Sequence, residues 1–290
     1  MRFRTGIVIL RESWNVLRQD AELIWFPVMS SLASVVIVAL IIATGFLIPS
    51  IGDWVLSLLA DSSSDAMISL GPVLALAICF CVYYLLHLVV IYFNTALVSC
   101  VLMRFEGGDP TVMDGIRMAN ARIPQILAWT LLSAGVGTIL SAIEQRLGFV
   151  GSIIMKLIGV AWTVAVYFVI PVIAAEGLGP IDAVKRSAQL LRKSWGEGLV
   201  GNIGLGVVTG IAFLCLMAFA ALALWGFSVL GSTFLIVTTL ALIVVGTLVL
   251  SILSSTLGQI FLAGLYRYAT TGNVAMGFTA ESFQGAFKKK

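Results

Sequence analysis

The sequence predicts an all-α, polytopic membrane helical bundle: six transmembrane helices arranged as three repeated hairpins, with amphipathic surface helices on the cytoplasmic side. Three observations carry that reading. Hydrophobic residues make up 60% of the 290-residue chain and charged residues 11%, against roughly 25% charged in soluble domains, and the mean hydropathy is +1.08. Six apolar runs reach the about 20 residues that a spanning helix needs. A short phrase, Glu106-Gly107-Gly108-Asp109-Pro110, returns as Glu176-Gly177-Leu178-Gly179-Pro180, each copy after an apolar run and before a charged amphipathic segment, which marks a repeated unit. No polar stretch is long enough for a separate soluble domain, so residues 1–290 read as a single membrane domain.

The first element is a surface helix over about 5–19. Phe3, Ile7, Leu10, Trp14 and Leu17 recur at helical spacing opposite Arg4, Arg11, Asn15 and Arg18, which places this helix along the headgroups. The first span, about 23–48, has too long an apolar core for a cleaved signal peptide and should stay in the mature protein. A loop over 49–71 follows, with Asp53, Asp61 and Asp65 and no base. The second span covers about 72–103.

After the first copy of the phrase, Pro110 fits the first helical position behind Asp109 as a cap. Val112, Ile116, Ala119 and Ile123 then repeat along a surface helix over about 110–123. Spans over about 124–142 and 150–175 form the second hairpin, where Pro171 removes a backbone bond near the end. The second copy leads into a surface helix over about 180–194. Ile181, Val184, Ala188 and Leu191 make its apolar stripe, while Lys185, Arg186, Gln189, Arg192 and Lys193 face water or phosphate. The third hairpin comprises spans of about 199–227 and 233–266. A cytoplasmic tail over 267–290 contains a degenerate copy of the phrase, Thr271-Gly272-Asn273-Val274-Ala275, which keeps the glycine.

Charge sets the orientation. Arg2, Arg4, Arg11, Arg18, Arg104, Arg117, Arg122, Lys185, Arg186, Arg192, Lys193, Arg267, Lys288, Lys289 and Lys290 fall on one side, leaving Arg146 and Lys156 on the other. Because loops rich in Lys and Arg stay in the cytoplasm, both termini are expected there. The net charge of +3 lies beside apolar spans, which suits anionic headgroups and not nucleic acid. Arg11, Arg18, Arg117, Arg122, Lys185, Arg186, Arg192 and Lys193 are the expected anionic-lipid contacts.

His87 is the sole histidine, and a histidine within a span is a functional hypothesis by default. Tyr83, Tyr84, Asn94 and Thr95 lie at helical offsets from it, so the five residues predict a polar stripe that either bonds between helices or lines a cavity. Asn202 is another polar group inside a span, among glycines that permit close helix approach. Cys79, Cys81, Cys100 and Cys215 fall in apolar runs and read as small core residues. Trp25, Trp54, Trp129, Trp195 and Trp225 fall near expected interfaces, as aromatic belts do. Glu106 and Glu176, one per phrase, read as acids pairing with an arginine of a surface helix in preference to a catalytic pair. No nucleotide loop, no H-E-x-x-H, no G-x-S-x-G and no metal-ligand cluster occurs in the chain. No catalytic residue, metal or cofactor is expected.

Trp14-Asn15-Val16-Leu17-Arg18 running into Leu23-Ile24-Trp25-Phe26-Pro27 resembles a prokaryotic family of six-span integral membrane proteins of unknown function. The stretch from Pro171 to Glu176, Gly179-Pro180-Ile181-Asp182-Ala183, Ser194-Trp195-Gly196-Glu197 and Leu265-Tyr266-Arg267-Tyr268-Ala269-Thr270 extend the resemblance over nearly the whole chain. More distantly, the succession of hairpin, proline, acid and amphipathic helix is similar to the membrane domain of some glycerophosphodiester phosphodiesterases. The resemblance implies a prokaryotic cytoplasmic membrane and transfers no functional residues.

Two functions compete at this level. The first is a non-enzymatic membrane protein, a lipid-associated or envelope scaffold whose partners are membrane lipids with anionic headgroups. The second is a transporter or channel for a small apolar or amphipathic molecule that passes the stripe at His87. A protein partner or a homo-oligomer is compatible with either.

Overall fold

A computed structural model describes residues 2–47, 70–147, 149–193, 197–229 and 232–279. Residues 49–69 of the acidic loop, Trp54, Trp195 and the lysines at 288–290 lie outside the described residues, as do the side chains of Lys193 and Asn202. Ten α-helices follow one another among the described residues: α1 (Arg2–Gln19), α2 (Trp25–Leu47), α3 (Leu70–Phe105), α4 (Val112–Asn120), α5 (Ile123–Arg146), α6 (Phe149–Ala165), α7 (Val169–Glu176), α8 (Pro180–Lys193), α9 (Glu197–Val229) and α10 (Thr233–Thr271). A 3-10 turn, Ala21–Ile24, joins α1 to α2. Among the described residues six segments are long and apolar enough to cross a membrane, α6 and α7 counting together as the fourth. The chain is a multi-pass integral membrane protein with an all-α bundle.

Consecutive spans pack as pairs, α2 on α3, α5 on α6 and α9 on α10, and α3 joins the pairs by contacting α5, α7 and α10. The buried core does not run the length of the bundle. It gathers at one end, where Leu97 and Val101 of α3 meet Ile126 of α5, Phe168 and Ile173 of α7, and Ile260, Phe261 and Leu265 of α10. Toward the other end the spans turn Leu40, Leu76, Phe219, Leu222 and Leu242 outward, a surface that only hydrocarbon can cover without penalty. The basic residues of α1, α3, α4 and α8 lie at the cored end.

The surface helices are part of that core. Helix α1 lies along α9 and α10 and buries Ile9, Ser13, Val16 and Leu17, while Ile7 and Val8 are exposed. Helix α8 touches α5, α6, α7 and α10 and buries Ala183, Ser187, Leu190 and Leu191, leaving Ile181 exposed. Both faces are shifted in part from those expected: Leu17 and Leu191 are buried and Leu10, Trp14 and Val184 pack against the core as the stripes require, while Ile7 and Ile181 turn outward. Small residues admit the close approach of another helix, and Gly6, Ser13, Ala183 and Ser187 share the inward face with Ile9, Val16, Leu17, Leu190 and Leu191, which leaves Ile7 and Ile181 outside.

Several boundaries also differ from expectation. The first cap after the phrase is Thr111, not Asp109, and Pro110 precedes the helix. Thr111 and Asp114 form a reciprocal capping box, and the Val112 amide donates to Glu22 Oε2 at 3.3 Å, so side chains satisfy three donors that the new helix leaves open. Helix α4 ends at Asn120 and Ile123 belongs to α5, which has a proline in its first turn. The fourth span divides at 166–168, because Pro171 offers no amide to the Tyr167 carbonyl one turn earlier. The sixth continues to Thr271, which takes Arg267 out of the tail and into a helix.

Trp129 is buried and stacks on Trp162 with ring centroids 6.2 Å apart, an interior pair and not an interfacial belt. Trp25 and Trp225 are exposed.

Candidate functional site

The three hairpins leave the membrane through equivalent turns. Gly107, Gly177 and Gly272 stand one or two residues past the end of a span, with φ of +90°, +65° and +74°, a region that glycine enters at no steric cost. The Gly177 amide donates to the Ile173 carbonyl at 3.1 Å and the Gly272 amide to the Tyr268 carbonyl at 2.9 Å, the simple left-handed cap. The first turn adds a second bond, from Gly108 N to Met103 O at 3.1 Å beside Gly107 N to Arg104 O at 3.0 Å, which completes a Schellman motif. The glycine kept in the degenerate third phrase therefore serves the same purpose as the other two.

The two acids of the phrase part company. Glu176 accepts from Arg186 Nε at 3.0 and 3.1 Å and from the Tyr266 hydroxyl at 2.9 Å, so it ties its own hairpin to α8 and α10. Glu106 makes no ion pair among the described residues and lines a cavity. Arg104, two residues earlier, lies 2.7 Å from Asp20 and 3.0 Å from Asp109. Asp20 is 8% exposed, and its burial pushes the carboxyl above its ordinary range against the opposing pull of Arg104.

The cavity holds about 450 Å³ and sits where the three exits converge. Ser99, Leu102 and Met103 come from the end of α3, Glu106 from the turn after it, Met118 from α4, and Arg122 from the link into α5. Ala174 and Ala175 of α7 and Tyr266, Arg267, Thr270 and Thr271 of α10 close it. The guanidinium of Arg122 reaches over the Gly177 turn, occupying the space where any side chain at 177 would start. Two arginines and one carboxylate thus line one half-enclosed space without pairing with each other. Arg122 is one of the expected lipid contacts; the expected pairing of Glu106 with an arginine of a surface helix is absent among the described residues, and Arg267 belongs to α10 and not to the tail.

The remaining basic candidates lie outside the cavity. Arg11, Arg117 and Arg192 are exposed, and Arg18 lies 5.9 Å from the ring centre of Trp14. Lys185 pairs with Asp182 at 3.2 Å, an exposed contact of small energetic weight.

The polar stripe of α3 is divided among three surroundings. Tyr83 stacks on His87, centroids 5.6 Å apart and rings 8° from parallel, and both border an apolar groove of about 630 Å³ between α2 and α3. His87 Nε2 lies 3.0 Å from Ser133 Oγ, and the Tyr84 hydroxyl is 3.4 Å from the Leu127 carbonyl, so these groups also reach α5. Thr95 is fully buried and bonds to its own helix at the Ile91 carbonyl, 2.8 Å away. Asn94 is half-buried. Of the cysteines, Cys100 is buried against α4, whereas Cys79, Cys81 and Cys215 are exposed and do not take the core positions expected of them. Among the described residues no group of three or more His, Cys, Asp or Glu side chains is placed to hold a metal.

Residues 73–278 match the model of a family of unknown function (DUF6159), and the chain belongs to that family. The matched region contains Glu106, Arg122, Glu176 and Arg267 together with all three exit turns. No curated protein matches the chain. The distant likeness to the membrane domain of glycerophosphodiester phosphodiesterases has no counterpart in these matches.

Proposed function

We propose that the protein is a non-enzymatic, lipid-associated scaffold of the prokaryotic cytoplasmic membrane, with both termini cytoplasmic and its basic end seated on anionic headgroups. The observation that carries this reading is the burial of the surface helices against the bundle. Because α1 and α8 spend their apolar faces on protein, they turn charge outward and do not sink into lipid. Arg11, Arg117 and Arg192 remain exposed there, and each basic group near an anionic surface contributes about 1 kcal/mol of attraction. The bias of lysine and arginine toward this end supports the orientation.

The test is lipid retention. The full chain purified in mild detergent should keep phosphatidylglycerol less well after combined Arg11→Gln, Arg117→Gln and Arg192→Gln substitution, and the difference should shrink as salt is raised. Equal retention by both proteins at low salt overturns the reading. The alternative, a transporter or channel for a small apolar or amphipathic molecule, draws on the groove beside His87. Division of the stripe between groove, α5 and core leaves it without a continuous polar path on α3.

A further inference from the structure

We infer that the cavity at the convergence of the three hairpin exits binds a phosphodiester that carries a primary ammonium, the headgroup chemistry of an aminophospholipid. Arg122 and Arg267 would hold the phosphate and Glu106 the ammonium. The inference rests on the proposed seating of the basic end at headgroup level, and goes beyond it in naming a separate site and a separate ligand.

The charge pattern singles this space out. Elsewhere at the same end the charged groups that approach one another are paired: Arg104 with Asp20 and Asp109, Arg186 with Glu176, Lys185 with Asp182. Arg122, Arg267 and Glu106 line a common cavity, and among the described residues none of them makes an ion pair. Opposite charges around one space that leave each other unpaired offer partners to a ligand bearing both signs. Guanidinium groups present a planar fork of donors that matches phosphate oxygens, and a carboxylate supplies the acceptors that an ammonium needs.

Shape and composition agree. About 450 Å³ falls within the roughly 300–1,000 Å³ of small-ligand sites. Leu102, Met103 and Met118 give the space an apolar wall suited to the glycerol and first methylenes of a lipid, methionine being the most adaptable of apolar side chains. The exits place the charges from both sides. Glu106 follows the last residue of α3 and directly precedes Gly107, and Arg122 is held over the Gly177 turn. Arg267 sits on α10 beside Tyr266, whose hydroxyl is fixed by Glu176.

The same chemistry occurs in the lipid and in its soluble deacylated form, so the test uses both. The full chain in nonionic detergent is presented with phosphatidylethanolamine, phosphatidylcholine and phosphatidylglycerol of identical acyl chains, and bound lipid is counted by native mass spectrometry. Phosphatidylethanolamine should exceed the other two. Arg122→Gln or Arg267→Gln should weaken it on the order of tenfold, as loss of one charge-assisted bond does. Glu106→Gln should abolish the preference over phosphatidylcholine while lipid still binds. Displacement by glycerophosphoethanolamine and not by inorganic phosphate supports the recognised chemistry, and tighter binding of the acylated form assigns it to lipid. Equal binding of ethanolamine and choline lipids to the natural chain, unchanged binding in both arginine variants, or equal displacement by phosphate overturns the proposal. Failure here is distinguishable from failure of the scaffold reading. The Arg11, Arg117 and Arg192 substitutions should leave ethanolamine-lipid binding intact, and Glu106→Gln should leave the salt-sensitive phosphatidylglycerol retention intact.

Discussion

The backbone amide of Phe168 donates to the side-chain oxygen of Ser187 across 2.9 Å in a fully buried setting. The break in the fourth span opens that amide, and the surface helix α8 supplies the acceptor. A segment that reads in sequence as a lipid-facing amphipathic helix thereby completes the backbone of a span.

Ser187→Ala should therefore lower stability by about 1–3 kcal/mol, the cost of leaving a buried donor without an acceptor. Thermal unfolding in detergent micelles measures it. A loss no greater than that of an exposed control such as Gln189→Ala would show that Phe168 finds another acceptor.

Glu176 predicts a non-additive pair. Tyr266→Phe removes one hydrogen bond to the carboxylate, worth about 1.5–3 kcal/mol as a bond to a charged group, while the partly exposed Arg186 contact adds about 0–1 kcal/mol after solvent screening. Glu176→Ala should cost more than Tyr266→Phe, because it leaves a buried hydroxyl unpaired. The double variant should be no worse than Glu176→Ala alone, and a double-mutant cycle on chemical unfolding reads the coupling.

Gly115 is where α4 touches α3. A Cβ there would stand 2.6 Å from both Cys100 Sγ and Phe26 Cζ and 2.9 Å from the Ala96 carbonyl, and that backbone atom cannot step aside. Gly115→Ala should destabilise by about 1–3 kcal/mol, visible as a lower unfolding temperature, even though alanine is the better helix former.

The capping box gives a pH dependence. Hydrogen bonds from the Thr111 hydroxyl and amide hold the Asp114 carboxyl below its ordinary value. A depressed pKa means the folded state binds fewer protons than the unfolded one, so the stabilisation is complete above about pH 4, the ordinary aspartate value. It is lost as pH falls through the lowered folded value. The stability difference between the natural chain and Asp114→Asn should be steady at neutral pH and close on acidification. Amide exchange of 112–120, corrected for its intrinsic pH dependence, reports it.

The spans and the exit turns were legible because their causes are local: about 20 apolar residues satisfy lipid, and a glycine after a helix permits a left-handed cap. The partial rotation of the surface helices was not. Periodicity finds an apolar face but does not distinguish lipid from a neighbouring helix, and the inward choice of Ala183 and Ser187 over Ile181 depends on a partner distant in sequence. Pro110 and Thr111 both offer a helix start, and Asp114 three residues beyond the threonine decides between them. The cavity was least legible. Glu106, Arg122 and Arg267 come from different hairpins, and Arg267 is drawn into α10 by the packing of Leu265 and Tyr266 below it, where hydropathy alone ends the span.

Helices α3 and α10 contain 36 and 39 residues, or about 54 and 58 Å at 1.5 Å per residue, against a hydrocarbon layer of about 30 Å. With the surplus length placed at the basic end, where the buried core lies, the molecule would be held together by two kinds of cohesion. Within the hydrocarbon, apolar side chains gain nothing from leaving lipid, and the spans rely on contact and backbone bonding alone. Beyond it, water is the competing solvent, and the base follows the thermodynamics of a soluble domain, with a positive heat capacity of unfolding. Urea should dissolve the base while the spans stay helical.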